Sequence, residues 1–198
     1  EYGVTDEEIL DAIRRHTVGG SGMTLLDKII YTADMIEPSR DFDGVERLRE
    51  LAEQDIDEAF FESVKQSLIF NITENKPIHP DTLDSYKVEI IKKALEDKKA
   101  TNIEVLDVAE QTSLGDYFVV ASCQSNVQVR ACVDEVEEKM EEAGFSVGHK
   151  EGYRGGSWIL MDYGDVIVHV MQQDTREFYA IERLWDDAGT AEPIDEDE

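Results

Sequence analysis

Cationic residues are scarce in this chain: 19 Lys and Arg stand against 46 Asp and Glu, a formal charge of −27. Such a surface repels phosphate backbones, because nucleic-acid binding relies on Lys and Arg displacing condensed counterions. Little direct nucleic-acid binding is therefore expected. A basic protein partner would be steered toward the chain at low salt, although acidity ordinarily serves solubility alone. Cysteine is as scarce. Cys123 and Cys132 are the only two, which excludes a disulfide framework and a zinc-ligand pattern. Buried, reduced, structural thiols are the expectation. Long apolar runs are missing too; none approaches the roughly 20 residues that span a bilayer, so no membrane partner is expected. No leader pattern of charged, apolar and small residues opens the chain, which starts on Glu and reads as a piece of something longer. A soluble cytoplasmic protein follows. What is present is ordinary: 41% apolar residues support a sizeable core, and 198 residues accommodate one domain or two small ones.

Residues 1–86 carry helical patterns and no strand signal. Thr5 with Glu8 reads as a capping box before Ile9, Ala12 and Ile13. That helix should end near His16, where Gly19, Gly20 and Gly22 make a loop. Thr24 with Asp27 starts the next, whose apolar set is Leu25, Leu26, Ile29, Ile30, Ala33 and Ile36, and Pro38 stops it. Helical patterns recur at Val45–Leu51 and Asp57–Ile72, and Asn75, Pro77 and Pro80 close the segment.

Composition changes after Tyr86. Residues 87–98 form a polar helix with Ile90, Ile91, Ala94 and Leu95 on one side, and 103–108 and 117–122 read as strands. A long helix from Asn126 to Ala143 presents Val129, Cys132, Val133, Val136 and Met140, and ends at Gly144. Phe145–Val147 reads as a further strand. Helices and strands alternating over about a hundred residues indicate an α/β domain with a mixed sheet. The organisation expected is a helical segment at 1–86, an α/β domain at 87–188 and an acidic, disordered tail at 189–198.

The stretch 151–185 organises the second domain. Trp158–Met161 and Val166–Met171 are apolar strand patterns, and Asp162, Tyr163, Gly164 and Asp165 supply the turn between them. Phe178, Ile181, Leu184 and Trp185 then share one helical face, with Asp174 or Thr175 placed as the cap. Catalytic patterns are poor here. Gly156–Ser157 is not followed by the Asp-x-Asp metal pair that nucleotidyl transfer needs, and no Ser/His/Asp set or phosphate-cradling glycine loop stands out. His169, alternating with apolar neighbours, reads as a core or interface histidine rather than a general base. What remains is a recognition surface, since aromatics are the residue type that anchors interfaces. Phe178 and Trp185 are expected in the core, and Tyr163 and Tyr179 at the surface.

GGSWILMDYGDVIVHVM followed by REFYAIERLW, together with ALEDKKATNIEVLDV, DYFVVAS and SNVQVRACVDEV, resembles the ribosomal silencing factor family (RsfS, or Iojap-like) over about 87–188. Cys123–Gln124 departs from it, where the family commonly has Gly after Ser. The resemblance implies a nucleotidyltransferase-like α/β fold with about five strands and no cofactor. It further implies binding to the large ribosomal subunit through ribosomal protein uL14, a steric block to subunit joining, and a homodimer in the free state. Carried onto matching positions, the expected contacts or their support are Trp158, Leu160, Asp162, Tyr163, Asp165, Arg176 and Tyr179.

HTVGGSGMTLLDKIIYTADMIEPSRDF and PIHPDTLDS resemble the C-terminal half of YqeK-like HD-domain phosphohydrolases, which hydrolyse symmetrical diadenosine tetraphosphate. That resemblance implies an all-helical HD-like fragment over 1–86. It matches His16 and Asp34 to two ligands of an iron or manganese centre that generates hydroxide and clamps phosphate. The family's remaining ligands, an earlier His and a His-Asp pair, would precede Glu1. His16 therefore reads as a silent remnant or an unfinished half-site, and His79 as a turn residue. Hydrolysis of dinucleoside tetraphosphates is the alternative function, conditional on those ligands being supplied.

Overall fold

The computed structural model of the chain describes residues 3–186, so the acidic tail expected at 189–198 lies outside the described residues. The fold is mixed α/β and divides into two units between Glu89 and Ile90.

The first unit is helical. Helix α1 (Glu7–Arg15) is capped by Asp6, whose carboxylate accepts from the amides of Glu8 at 3.1 Å and Ile9 at 3.4 Å. Thr5 is not the cap, because Asp6 satisfies the same orphan donors one residue later. Helix α2 (Leu25–Ile36) opens on the expected box: Thr24 Oγ1 accepts from Asp27 N at 3.2 Å, and Asp27 Oδ2 from Thr24 N at 2.9 Å. Helices α3 (Val45–Gln54) and α4 (Ile56–Thr73) follow, the latter capped by Asp55. Arg49 on α3 donates to the carbonyls of Ile36, Glu37 and Arg40, supplying partners at the C-terminal end of α2. Met23, Tyr31, Phe60 and Val64 make the core, with Tyr31 edge-on to Phe60 at 5.3 Å and its hydroxyl 3.0 Å from Ser67 Oγ.

The face of α2 that carries this core is not the apolar set expected. Asp27, Lys28, Tyr31 and Thr32 are buried, while Leu25, Ile29, Ile30 and Ala33 lie at the surface. Helix α5 (Pro80–Asp97) also begins earlier than expected. Proline suits a first helical position, where the missing N–H had no partner to lose. His79 sits just before it as a turn residue, Nδ1 3.3 Å from the amide of Asp81.

The second unit is built on a five-stranded mixed sheet in the order β1-β2-β5-β4-β3. The strands are β1 (Thr101–Asp107), β2 (Tyr117–Cys123), β3 (His149–Glu151), β4 (Trp158–Asp162) and β5 (Val166–Gln172). Only β2 and β5 pair in parallel; Trp158 faces Met171 and Leu160 faces His169 across the antiparallel β4–β5 hairpin. The strand expected at 145–147 forms at 149–151 instead, because Phe145 N still bonds the last turn of the preceding helix through Met140 O at 2.8 Å. Gly152 has φ +82, and a Cβ there would stand 2.0 Å from Trp158 O, so that position needs glycine.

Helix α6 (Asn126–Glu142) covers one sheet face, and its Val129, Cys132, Val133, Val136 and Met140 are buried as expected. Pleating sends Val119, Ala121, Ile159, Met161, Val168 and Val170 inward to that layer. Cys123 and Cys132 are both buried there and both free, Sγ to Sγ 3.5 Å. Their hydrogen bond, with burial, pushes the Cys123 thiol up.

The alternate residues form the other face. Phe118, Val120, Ile167 and Met171 gather with Val108 and Ile181, and Leu106, Trp158, Leu160 and Trp185 pack on them half-buried. The single helix expected after β5 is broken in two. Helix α7 (Gln173–Tyr179) ends at Ala180 in the left-handed region, φ 40, and α8 (Arg183–Asp186) restarts beyond it. The residue before α7 is Gln172, without a side-chain cap, rather than Asp174 or Thr175.

Candidate functional site

The face opposite α6 is where apolar side chains remain open. Leu114, Phe118, Trp158, Leu160, Leu184 and Trp185 border a shallow cleft of about 180 Å³ over the sheet. Phe178, Tyr179 and Leu184 are exposed beside it, as is Leu114. The aromatics are interlocked: Tyr179 lies 5.2 Å from Trp158 and 5.0 Å from Phe178, centroid to centroid, and Trp185 stands edge-on to Phe118 at 5.5 Å. These contacts restrain rings that would otherwise be mobile, which lowers the entropy lost when a partner packs on them.

His169 forms the cleft floor. Trp158 Nε1 donates to His169 Nδ1 at 3.2 Å, so Nδ1 is the acceptor and Nε2 carries the proton. Nε2 is buried without a hydrogen-bond partner among the described residues. Burial lowers the His169 pKa to about 4, against a smaller opposite effect of Glu182, so the ring is neutral at physiological pH. A neutral imidazole without a nucleophile or carboxylate relay beside it packs as a core residue.

The hairpin tip is tight. Asp162 Oδ1 accepts from Gly164 N at 2.7 Å, and the Asp165 carbonyl accepts from the amides of Asp116 and Tyr117. Asp165 is exposed and Asp162 half-buried. Tyr163 corrects its expectation: it is 8% exposed, with its hydroxyl buried and unpartnered among the described residues. Burial, then the charges of Glu137 and Glu141 on α6, push its hydroxyl pKa up.

Arg176, expected as a contact or its support, lies inside. It is 5% exposed. Its guanidinium reaches the Asn102 carbonyl, Ser122 Oγ at 3.1 Å, Glu104 at 2.7 Å and Glu182 at 2.5 Å. One side chain thus ties β1 and β2 to the segment between α7 and α8. Burial alone would raise the Glu182 carboxyl, but hydrogen bonds and the Arg176 charge outweigh it and hold the pKa below the usual range. Of the seven expected residues, Trp158, Leu160 and Tyr179 come together on the open face, and Asp162 and Asp165 sit at the tip. Tyr163 and Arg176 lie inside, as support. Phe178 was expected in the core and is 81% exposed. A straight helix places Phe178 with Ile181, and only the turn at Ala180 separates them; exposed Leu114 and Leu184 carry no local signal that marks them for this face.

In the first unit, His16 Nδ1 faces the Ile13 carbonyl at 2.5 Å and Nε2 lies 3.0 Å from Thr17 Oγ1. Asp34 Oδ2 accepts from Arg40 Nη2 at 3.0 Å. Among the described residues no group of three His, Cys, Asp or Glu could hold a metal ion. The residues present do not fit an iron or manganese centre, because borderline cations need more ligands than these two groups offer. No helix among the described residues is long and apolar enough to cross a membrane.

Comparisons with known proteins find relatives of two kinds. A family model described as ribosomal silencing factor during starvation matches residues 80–198. A ribosomal silencing factor RsfS of Chromobacterium violaceum is 46% identical over 92 residues, 46% of this chain and 75% of that protein. A crystal structure of a protein from the same organism has a TM-score of 0.50 at 39% identity, covering 55% of this chain and 90% of that one. A symmetrical bis(5'-nucleosyl)-tetraphosphatase of Bacillus subtilis is 54% identical over 86 residues, 43% of this chain and 46% of that enzyme. The chain thus spans about half the length of the tetraphosphatases it matches.

Proposed function

The chain belongs to the ribosomal silencing factor family, and from that membership we propose that it represses translation in the cytoplasm by occupying the large ribosomal subunit. The partner is ribosomal protein uL14, and the bound protein stands where the small subunit would dock. The observation that carries this reading is the apolar, aromatic-rimmed face of the sheet, left open by α7 and α8 and bordered by Trp158, Leu160, Phe178 and Tyr179. A contiguous apolar patch with restrained aromatics is the chemistry of a protein interface centre. The acidic charges of Asp162 and Asp165 at its edge, within a chain of net charge −27, favour a basic protein surface over bare RNA. No cofactor enters the mechanism, which is steric. In the free state the same face is available to a second copy of the chain. The test is sedimentation with purified large subunits, followed by addition of small subunits. Saturating protein should co-sediment and lower the joined fraction; unchanged joining at saturation overturns the proposal.

A second reading is favoured by the 54% identity over 86 residues to a tetraphosphatase. It assigns the first unit metal-dependent hydrolysis of dinucleoside tetraphosphates once further ligands are supplied. With His16 and Asp34 alone, the chain should show no turnover with added iron or manganese.

A further inference from the structure

We propose that Cys123 and Cys132 are a peroxide-sensitive pair, which closes to a reversible intrachain disulfide and staples α6 to the sheet. The proposal does not rest on the silencing function.

The chain has two cysteines, and the fold places them against each other. Cys123 is the last residue of β2, and Cys132 lies on the buried stripe of α6. Their sulfurs stand 3.5 Å apart, which is van der Waals contact. A disulfide needs about 2.05 Å between sulfurs, so about 1.5 Å remains to be closed by side-chain rotation and a small shift of the helix. Nine positions separate the pair in the chain, and Gln124 and Ser125 are the whole connection between the two elements. Neither thiol has another cysteine in the chain to pair with.

The two thiols have different roles. The hydrogen bond from Cys123 lowers the Cys132 pKa, against burial and with help from the charge of Lys98. Thiolate is the nucleophilic form, so Cys132 reacts first. Its sulfur attacks one oxygen of hydrogen peroxide, the O–O bond breaks, and the departing hydroxide takes up a proton to leave as water. Cys132 is then a sulfenic acid. The Cys123 sulfur attacks the Cys132 sulfur, the S–S bond forms and the S–O bond breaks. The hydroxyl leaves as a second water with the proton of Cys123. Two thiols and one peroxide thus become one disulfide and two waters, and two electrons pass from sulfur to oxygen.

Access is what makes the bridge conditional. Cys123 is 2% exposed and Cys132 0%, so the closed fold keeps both from solvent. The pair nevertheless lies beside the β2–α6 connection, where Gln124 and Asn126 are exposed. Helix ends fray before the core opens, and unwinding the first turn of α6 gives peroxide a path while the sheet stays paired. Oxidation is gated by that opening, which suits a bridge formed under stress rather than a permanent one. Once made, it fastens α6 over its side of the sheet and leaves Trp158 and Leu160 on the opposite side untouched.

The experiment treats the fully reduced chain with hydrogen peroxide, blocks remaining thiols with N-ethylmaleimide in denaturant, and digests with trypsin without reduction. Cleavage after Lys99, Arg130 and Lys139 puts Cys123 in the peptide 100–130 and Cys132 in 131–139. The two peptides should appear joined, about two mass units below their sum, and dithiothreitol should separate them. The oxidised chain should also melt higher by about 5 °C or more, because the bridge constrains the unfolded state. Cys123→Ala, which lacks the second thiol, should instead hold a sulfenic acid at Cys132 that dimedone labels. Two alkylated thiols after excess peroxide overturn the proposal, as do a disulfide between chains or sulfinic acid without a bridge. An unchanged or lower melting midpoint of the bridged chain overturns the staple. The peptide map and the melt use the parent chain alone, so they decide the matter even where Cys123→Ala does not fold.

Discussion

Trp158 Nε1 donates to His169 Nδ1 at 3.2 Å, diagonally across the β4–β5 hairpin. The bond sets the histidine tautomer and orients the indole, on which Tyr179 packs. The core histidine expected from the sequence is thus a positioning group for an aromatic side chain of the open face.

The folded pKa of His169 is lowered to about 4, below the ordinary value near 6.5. Below that ordinary value the unfolded chain binds a proton that the folded chain refuses. Stability from the neutral ring is full above pH of about 6.5 and is lost as pH falls toward 4, by a few kcal/mol at most. His169→Gln keeps an acceptor for Trp158 and removes the titration. Urea unfolding from pH 7 to 4 should fall less steeply for the variant than for the parent; parallel curves would show that the ring does not titrate as described.

Arg176 should behave as a structural residue. Arg176→Met leaves Glu182 and the Asn102 carbonyl without their cation, and breaking a buried pair from one side costs about 3–5 kcal/mol. Arg176→Lys should recover little, because one ammonium cannot serve four acceptors on different segments. Chemical denaturation measures both, and a loss below about 1 kcal/mol for Arg176→Met would contradict the hub.

Tyr163 separates ring from hydroxyl. Tyr163→Phe removes a buried hydroxyl without a described partner and should be neutral or slightly stabilising. Tyr163→Ala empties the space between the hairpin and α6 and should cost about 3 kcal/mol or more. A tip residue that merely touched a partner would not show the Tyr163→Ala loss in a thermal melt.

Phe178 and Tyr179 should show the opposite profile. Phe178 is 81% exposed and Tyr179 55%, so Phe178→Ala and Tyr179→Ala should change stability by about 0.5 kcal/mol or less. As anchors they should weaken large-subunit binding by about 1–2 kcal/mol each, roughly five- to thirtyfold in the dissociation constant. Filter binding or sedimentation with the purified subunit reads that difference.

Local chemistry was legible wherever a short pattern decides a short structure. The Thr24–Asp27 box, the β4–β5 hairpin with its Asp162–Gly164 turn, and the apolar stripe of α6 all formed as their residues demand. Each depends on neighbours within a few positions, so the sequence by itself determined it. The same holds for the mixed α/β class, since alternating periods of two and near four leave few architectures.

Burial was a different matter, because it depends on which face the rest of the chain covers. The apolar set of α2 looked like a core and stands outside, since ion pairs and Tyr31 hold the other side in. Phe178 and Tyr163 exchanged places: the left-handed turn at Ala180 throws Phe178 outward, while the tight hairpin folds Tyr163 against α6. Arg176, expected only as a contact or its support, ties β1 and β2 to the α7–α8 segment, through partners as far as 74 residues away in sequence. Periodicity says that a helix or strand has an apolar face. Only the tertiary structure decides whether that face is buried by the protein itself or left open for another.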